Sequence, residues 1–262
     1  MGSPSDWALI LGASSGFGGA TAKELAAAGF NIFGVHLDRS TTMPMAEEVM
    51  GSIRKQGREA VFFNINASDP DKRSNALDEM KDHLAGGFIR IVMHSLAFGT
   101  LRPYVADQTK DGVNQKQVDM TLDVMANSLV YWVQGLAHRN LMCEGTRIVA
   151  MTSAGGTRIW PSYGPVSAAK AALESHIRQL AYELAPKGIT VNAIRAGVTD
   201  TPALRKIPGN DELLEGARHR NPSGRLTTPE DVAAAIALLA APRSYWITGN
   251  TIGVDGGEDI VG

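Results

Sequence analysis

The stretch LGASSGFGGA, Leu11–Ala20, is the clearest indication of the fold of this 262-residue chain. It follows the apolar run WALIL (7–11) and opens a pattern typical of a helix. Gly12 permits a tight turn, Gly16 lets the backbone approach a pyrophosphate, and Gly18 lets the helix pack close to the sheet. A helix N-terminus offers free N–H groups and a positive dipole end to phosphates. Between a first strand and a helix, this spacing predicts a dinucleotide-binding loop.

Short apolar runs and helical patterns alternate along the rest of the chain. The predicted strands cover residues 7–11, 30–35, 60–65, 89–94, 147–153, 189–194 and 250–254. A long helical region is predicted over about 112–142, and another helix runs to about Ala185. The strands are apolar throughout, as expected for a parallel sheet covered on both faces. We therefore predict an α/β fold: one doubly wound Rossmann-type domain over 1–262, with a seven-stranded parallel sheet flanked by helices.

Composition excludes several classes of function. The formal net charge of −2 gives no sign of nucleic-acid binding, and no apolar run approaches the ~18 residues of a membrane span. Cys143 is the single cysteine, which rules out an internal disulfide and fits a reducing compartment. The N-terminus lacks a signal-peptide pattern, and residues 2–5 are expected to be a flexible leader. We expect a cytoplasmic protein that binds neither nucleic acid nor membrane and has no metal site.

The spacing Gly-x3-Gly-x-Gly resembles that of the short-chain dehydrogenase/reductase family, and the resemblance covers nearly the whole chain. It implies that RAGVTDT (195–201) forms the loop over the nicotinamide, where the backbone of Val198 would bond the carboxamide. The family usually has Pro-Gly where this chain has Ala196-Gly197. The cofactor-binding positions implied by the resemblance are Gly12, Ser14, Ser15, Gly16, Phe17, Gly18, Arg39, Asn66, Ala67, Ser95, Leu96, Ala97, Lys170, Val198 and Thr201.

The stretch YGPVSAAK, Tyr163–Lys170, departs from the commoner family pattern. Most members place tyrosine four residues before the lysine, and that position is Val166, which cannot donate a proton. Tyr163 lies seven residues before Lys170, close to two helical turns, so the two side chains can share one face. The Tyr-x6-Lys spacing resembles that of bacterial enoyl-[acyl carrier protein] reductases. It implies that Tyr163 stabilises the enolate oxygen and that Lys170 bonds the nicotinamide ribose.

Further stretches resemble the NADPH-using type III branch of those reductases. VMHSLAFG (92–99) resembles their His-Ser motif, and PGNDELLEGARHRNPSGRL (208–226) resembles their substrate-side helix. The resemblance implies a helical flap at about 199–225, a homotetramer, and an acyl carrier protein as the partner that delivers the substrate.

Two more candidate catalytic residues follow from the resemblance. Asn127 matches the family's helix asparagine, which holds a water beside the lysine, although such a residue can equally be a packing group. Ser153 matches the active-site serine, and it either donates to the substrate or holds a loop. Two other side chains have structural alternatives: we expect His94 to be structural, and Trp160 either lines an acyl pocket or caps a loop.

The sequence leaves the dinucleotide and the reaction open. Asp38 would bond the adenosine ribose of NADH, whereas Arg39 would pair with the 2′-phosphate of NADPH. The resemblance places His36 at the family's common acidic position, so NADPH is favoured and NADH stays possible. The leading function is reduction of an enoyl thioester. The alternatives are a carbonyl-reducing member of 3-oxoacyl or hydroxysteroid type and a non-catalytic nucleotide-binding protein.

Overall fold

Seven parallel strands form one twisted sheet in the computed structural model, which describes residues 6–261. The strands are Asp6–Leu11 (β1), Asn31–His36 (β2), Ala60–Asn64 (β3), Phe88–His94 (β4), Arg147–Ser153 (β5), Thr190–Ala196 (β6) and Thr251–Val254 (β7). Their order in the sheet is β3-β2-β1-β4-β5-β6-β7. The predicted seven-stranded parallel sheet is confirmed, with strand ends within one or two residues of the expected ones. The leader at residues 2–5 lies outside the described residues.

Helices cover both faces of the sheet. They are Gly16–Ala27 (α1), Met43–Lys55 (α2), Pro70–Leu84 (α3), Gln115–Leu122 (α4), Ser128–His138 (α5), Gly164–Leu184 (α6), Asn210–Arg220 (α7) and Pro229–Ala240 (α8). Along β1, Trp7, Leu9 and Leu11 join the core beneath α3, α5 and α6. Ala8 and Ile10 join the opposite core beneath α1, α2 and α8. Since both faces are buried, the strands have no polar face, as their composition predicts.

The long helical region predicted at about 112–142 is divided. Residues Asp123–Asn127 form a π-helical turn between α4 and α5. Such a turn inserts an extra residue into a helix and is common at functional sites. Composition does not reveal it, because the residues on either side all favour an ordinary helix.

The sheet order places the candidate site. Strand order reverses between β1 and β4, and a crevice opens outside the carboxyl ends of strands at such a point. The loops after β1, β4, β5 and β6 all reach this edge. The predicted flap contains a short 3₁₀ turn at Leu204–Lys206 followed by α7.

Candidate active site

The glycine loop packs tightly against the end of β4. Gly12 has a positive φ of 93°, and a Cβ atom there would collide with the carbonyl oxygen of Ser95. A Cβ on Gly18 would collide with the carbonyl oxygen of Gly12. Backbone hydrogen bonds tie the loop to both neighbouring strands, from Gly12 to Val35 (2.8 Å) and from Ser95 to Leu11 (2.8 Å). Alanine is therefore excluded at both glycines.

Residues from two other strand ends reach the same loop. Leu96, after β4, lies 3.6 Å from the position of a Cβ on Gly12. Thr201, after β6, lies 3.6 Å from the position of a Cβ on Gly16, and its side chain is buried. The fold thus brings together cofactor-binding candidates separated by up to 190 residues of sequence.

The start of α1 is open to an anion. Ser15 caps this helix with extended backbone, but its side chain makes no capping hydrogen bond within the described chain. By contrast, Asp69 caps α3 and Thr228 caps α8 through their side chains. Phe17 packs on the apolar core beneath α1. The free N–H groups of the first turn and the close glycine backbone fit a dinucleotide pyrophosphate.

Asp38, rather than Arg39, contacts the glycine loop. The Asp38 carboxylate hydrogen-bonds with Ser14 and lies 2.8 Å from Nδ1 of His36. Burial would raise the pKa of Asp38, but hydrogen bonds, including that from Thr42, outweigh burial and lower it. Arg39 is exposed, and its backbone N–H donates to Oγ1 of Thr42 (3.2 Å). The role predicted for Arg39 stays a prediction.

The predicted adenine-side residues follow β3, and a further cofactor candidate follows β4. The carbonyl of buried Ala67 accepts a hydrogen bond from Nε1 of Trp132 (3.0 Å), so this residue also anchors α5. Asn66 is exposed, and its side chain accepts from the N–H of Ser68 (3.1 Å). Ala97, predicted only as a cofactor contact, is exposed in the loop after β4. The contacts of Asn66 and Ala67 with adenine, and of Ala97 with the cofactor, stay predictions.

Tyr163 lies immediately before α6, at its N-cap position, rather than within the helix. The Tyr163 ring and Ser153 lie together against Gly155, and the Oγ of Ser153 accepts from the N–H of Gly155 (3.1 Å). Burial raises the pKa of Tyr163, and the neighbouring Ser153 opposes that rise. Tyr163 is therefore protonated at neutral pH and can donate. Ser162 precedes it with φ at 62°, a strained value for serine of a kind that clusters at functional sites.

Val166 faces the core instead of the cleft. It is buried, and its Cγ2 lies 2.9 Å from the position of a Cβ on Gly99. Met125 and Thr121 fill the same space. The position used by the commoner tyrosine therefore serves packing here.

Lys170 is buried below Tyr163 on α6. Its ammonium group donates to the carbonyl of Met151 on β5 (2.7 Å). Burial lowers the pKa of Lys170 from 10.5 to about 8, and the nearby carboxylate of Glu174 opposes the shift. Glu174 itself accepts from the hydroxyl of Thr152 (2.7 Å). Sequence reasoning missed Glu174, although its spacing of four from Lys170 places both on one helix face.

Asn127 ends the π-helical turn and points towards α6. Its Oδ1 lies 3.1 Å from Nε2 of His176. Burial lowers the pKa of His176, so a neutral imidazole can donate to the amide oxygen. The structure thus engages Asn127 with a histidine that the sequence did not single out, because the pairing depends on how two helices pack.

His94 is buried at the end of β4. Its Nε2 lies 2.8 Å from Oγ of Ser128, which in turn donates to the carbonyl of Val124 (2.7 Å). Burial, with the positive charge of Lys170, lowers the pKa of His94 to about 3. The neutral ring of His94 pairs with Ser128, and Ser128 satisfies the Val124 carbonyl of the π-helical turn. This arrangement agrees with the structural role expected for His94.

The loop after β6 is held from the C-terminal segment. The N–H of Val198 donates to Oε2 of Glu258 (3.0 Å), and Glu258 is buried, so the predicted bond from the Val198 backbone to the carboxamide is left to its carbonyl. A Cβ on Gly197 would lie 2.9 Å from the same oxygen, so glycine is needed beside it. Sequence reasoning missed Glu258, since nothing in the C-terminal motif indicates a contact with residue 198.

Trp160 connects the Tyr163 loop to the flap. Its indole Nε1 donates to the carbonyl of Pro208 (2.9 Å), which supports the loop-holding alternative for this residue. In the flap itself, Arg205 forms two hydrogen bonds with Asp200 (2.7 and 3.0 Å).

Within residues 6–261, no group of three or more His, Cys, Asp or Glu side chains is placed to hold a metal ion. No helix in this part of the chain is both long and apolar enough to span a bilayer.

The fold and the cleft together define a nicotinamide-dependent oxidoreductase built on one Rossmann-type sheet. Within that class, the chain belongs to the short-chain dehydrogenase/reductase family, since residues 12–258 match the family model described as "Enoyl-(Acyl carrier protein) reductase".

Relatives of similar length carry several activities in their names. The uncharacterized oxidoreductase YjdA of Bacillus subtilis is 32% identical over 252 residues, 95% of each chain. Versicolorin reductase stcU of Emericella nidulans is 28% identical and covers 95% of this chain and 94% of its own. The NADH enoyl-acyl-carrier-protein reductase FabI of Nostoc is 31% identical over 203 residues, 78% of this chain and 76% of its own.

Solved structures share the whole fold. A short-chain dehydrogenase from Burkholderia cenocepacia in complex with NADP has a TM-score of 0.82 and 29% identity, covering 97% of this chain and 98% of that one. The NADH enoyl-acyl-carrier-protein reductase of Aquifex aeolicus has a TM-score of 0.84 and 26% identity, covering 98% and 97%. These neighbours support a nicotinamide cofactor and leave the choice of dinucleotide open.

Proposed function

We propose that the protein reduces the C=C bond of a trans-2-enoyl thioester carried by an acyl carrier protein, with NADPH as the reductant. The observation that carries this proposal is the arrangement at the start of α6. Tyr163 contacts Ser153 at the cleft, whereas Val166 is buried against Gly99. A donor three residues before the commoner position suits an oxygen further from the hydride-accepting carbon, as in a conjugated thioester.

The bound dinucleotide would supply hydride to the β-carbon of the enoyl group. Negative charge would then develop on the thioester oxygen, and the Tyr163 hydroxyl would donate a hydrogen bond to it. Collapse of this enolate with a proton from water at the α-carbon would complete the saturated thioester. The ammonium of Lys170 favours the negative charge on the oxygen electrostatically, and its burial strengthens the effect because the local dielectric is low. Ser153 lies beside Tyr163 and helps to position it.

Carbonyl reduction is the second candidate. The similarity to versicolorin reductase stcU over nearly the whole chain favours it. The identity of residue 166 counts against the ordinary form of that mechanism, because Val166 is buried in the core and has no hydroxyl to donate. Carbonyl reduction would therefore have to use Tyr163.

A direct comparison of substrates tests the proposal. The purified protein is given NADPH or NADH with crotonyl or acetoacetyl thioesters, and consumption of the dinucleotide is followed by absorbance. We expect turnover of the crotonyl thioester. Turnover of acetoacetyl thioester alone would establish the carbonyl-reducing alternative, and dinucleotide binding without turnover of either would favour a non-catalytic binding protein.

The choice of dinucleotide depends on Asp38 and Arg39. We propose NADPH because the exposed guanidinium of Arg39 can pair with a 2′-phosphate. The contact of Asp38 with Ser14 is the observation that favours NADH instead. If Arg39 binds the phosphate, Arg39→Ala weakens NADPH about 10- to 100-fold and leaves NADH little changed. If Asp38 binds the ribose, Asp38→Asn weakens NADH instead. Fluorescence titrations of both variants with both dinucleotides separate these outcomes.

The partner, assembly and compartment follow from the proposed activity. An acyl carrier protein would deliver the thioester, and the family resemblance favours a homotetramer in the cytoplasm. Light scattering of the purified protein tests the assembly.

A further inference from the structure

The C-terminal turn contacts the segments that surround the cleft. It is a 3₁₀ turn, Glu258–Ile260, that follows β7. Asp255 shapes it, because its carboxylate accepts from the N–H of Gly257 (3.0 Å) and of Asp259 (3.3 Å). Asn221, at the end of α7, donates from Nδ2 to the carbonyl of Asp255 (2.9 Å).

Two acidic side chains of this turn meet three arginines from different elements. Oε1 of Glu258 lies 3.5 Å from Arg220 of α7. The Asp259 carboxylate lies 2.7 Å from Arg158, in the loop that leads to Tyr163, and 2.8 Å from Arg195 of β6. We call this set of five residues the C-terminal clasp.

Glu258 has two separate partners within the clasp. Oε2 accepts from the N–H of Val198, and Oε1 faces the guanidinium of Arg220. The bond to Val198 holds the loop after β6, which continues to Thr201 beside the glycine loop. The contact with Arg220 fixes the end of flap helix α7. One buried carboxylate therefore links the cofactor side of the cleft to its substrate side.

We propose that Glu258 is a positioning residue with two separable effects. Its bond to Val198 orders the loop after β6 for the dinucleotide, and its ion pair with Arg220 sets α7 for the substrate. The second effect rests on the proposed function, because it treats α7 as the cover of the acyl thioester.

Three variants separate the two effects. Glu258→Gln keeps an oxygen that can accept from Val198 and removes the charge facing Arg220. Arg220→Met removes the same ion pair from the other side. Glu258→Ala removes both contacts. Arg139→Met is the matched control, since it breaks the Arg139–Asp78 pair (2.7 and 3.3 Å) between the end of α5 and α3, outside the clasp and the flap.

The readouts are amide hydrogen exchange and the KM values of the two substrates. In Glu258→Gln and Arg220→Met we expect faster exchange in α7 and a KM for the enoyl thioester raised roughly 5-fold, the scale of a partly exposed ion pair. The KM for the dinucleotide and exchange at Val198 stay unchanged in these two variants. Glu258→Ala additionally speeds exchange at Val198 and raises the KM for the dinucleotide. The control matches wild type.

Two results would overturn the proposal. One is that Glu258→Gln and Arg220→Met raise both KM values equally, and the other is that they lower only the melting temperature. If Glu258→Ala does not fold, those two variants still decide the question. If the wild-type protein reduces no enoyl thioester, the proposed function fails. The amide hydrogen exchange of the variants at Val198 and in α7 still tests the structural part of the proposal.

Discussion

Tyr163 and Val166 lie three positions apart and have opposite surroundings. Tyr163 lies beside Ser153 at the cleft, and Val166 is enclosed by Gly99 and its neighbours. The residue that can donate a proton is thus separated from the position where the commoner pattern has it. This local difference is the basis of the proposed reduction of an enoyl thioester.

Removal of the Tyr163 hydroxyl should abolish most turnover. We expect Tyr163→Phe to lower kcat for the enoyl thioester about 10²- to 10⁴-fold, the usual contribution of a general acid. Dinucleotide affinity should persist, because the ring still packs. Steady-state kinetics and a fluorescence titration measure the two quantities. Tyr182→Phe is the control on the exposed side of α6. Near-normal turnover of Tyr163→Phe would show that another group donates.

The buried charge of Lys170 should make stability depend on pH. Its pKa is about 8 in the folded protein and near 10.5 in the unfolded chain. Between these values the unfolded chain binds more protons, so this group raises the free energy of unfolding as pH increases. From pH 7 to 9.5 the gain is about 2 kcal/mol, since one pKa unit corresponds to about 1.36 kcal/mol.

Comparison with Lys170→Met isolates that contribution. Urea unfolding of the wild type and of Lys170→Met at pH 7 and at pH 9.5 gives the change in the free energy of unfolding between the two pH values. The variant should lack the rise expected for the wild type. Turnover of the wild type should fall as pH rises through about 8, because the ammonium loses its proton. An identical pH dependence of stability in both proteins would contradict the burial of a charged Lys170.

At the scale of elements, the π-helical turn is the feature that positions Asn127. Ser128 satisfies the Val124 carbonyl within this turn, and His94 lies against Ser128. All three are buried, so the contacts are shielded from water. The geometry of the π-helical turn thereby depends on the Ser128 hydroxyl.

Ser128→Ala should destabilise the protein and disturb the site. It removes the hydroxyl that bridges the buried imidazole of His94 and the Val124 carbonyl, and an unsatisfied buried group costs about 1–3 kcal/mol. It should also lower kcat, because Asn127 adjoins Ser128. Ser175→Ala, exposed on α6, should stay within about 0.5 kcal/mol of wild type in the same urea titration. Equal stability of the two variants would mean that the turn does not need the Ser128 hydroxyl.

The elements differ in how far the sequence predicts them. Apolar runs such as IVMH (91–94) predict the buried strands, since only a sheet covered on both faces needs them. The glycine loop predicts its own geometry for steric reasons. The π-helical turn, the pairing of Asn127 with His176 and the bond from Val198 to Glu258 were not predicted. They depend on tertiary packing, which the local pattern does not contain.

In the whole molecule, the candidate catalytic residues and the glycine loop share one edge of the sheet with the flap. Arg205 is paired with Asp200 there, so its charge is partly neutralised. Lys206 and Arg218 are exposed on the same segment. They are therefore the better candidates for contact with an acidic carrier protein, although an exposed charged face often serves only solvation.

Reversal of both charges should weaken docking of the carrier protein. We expect Lys206→Glu with Arg218→Glu to raise KM for an acyl-carrier-protein substrate and to affect the short coenzyme A analogue less. The physical reason is electrostatic steering, which mainly sets the association rate. The difference should shrink with added salt, because the Debye length is only about 10 Å at 0.1 M.

Kinetics with both substrates across ionic strength provide the measurement. Lys55→Glu with Lys187→Glu, two exposed lysines at the end of α2 and just after α6, makes the same change in net charge away from the flap and is the control. Equal losses for both substrates at every ionic strength would mean that Lys206 and Arg218 shape the flap and do not dock a partner.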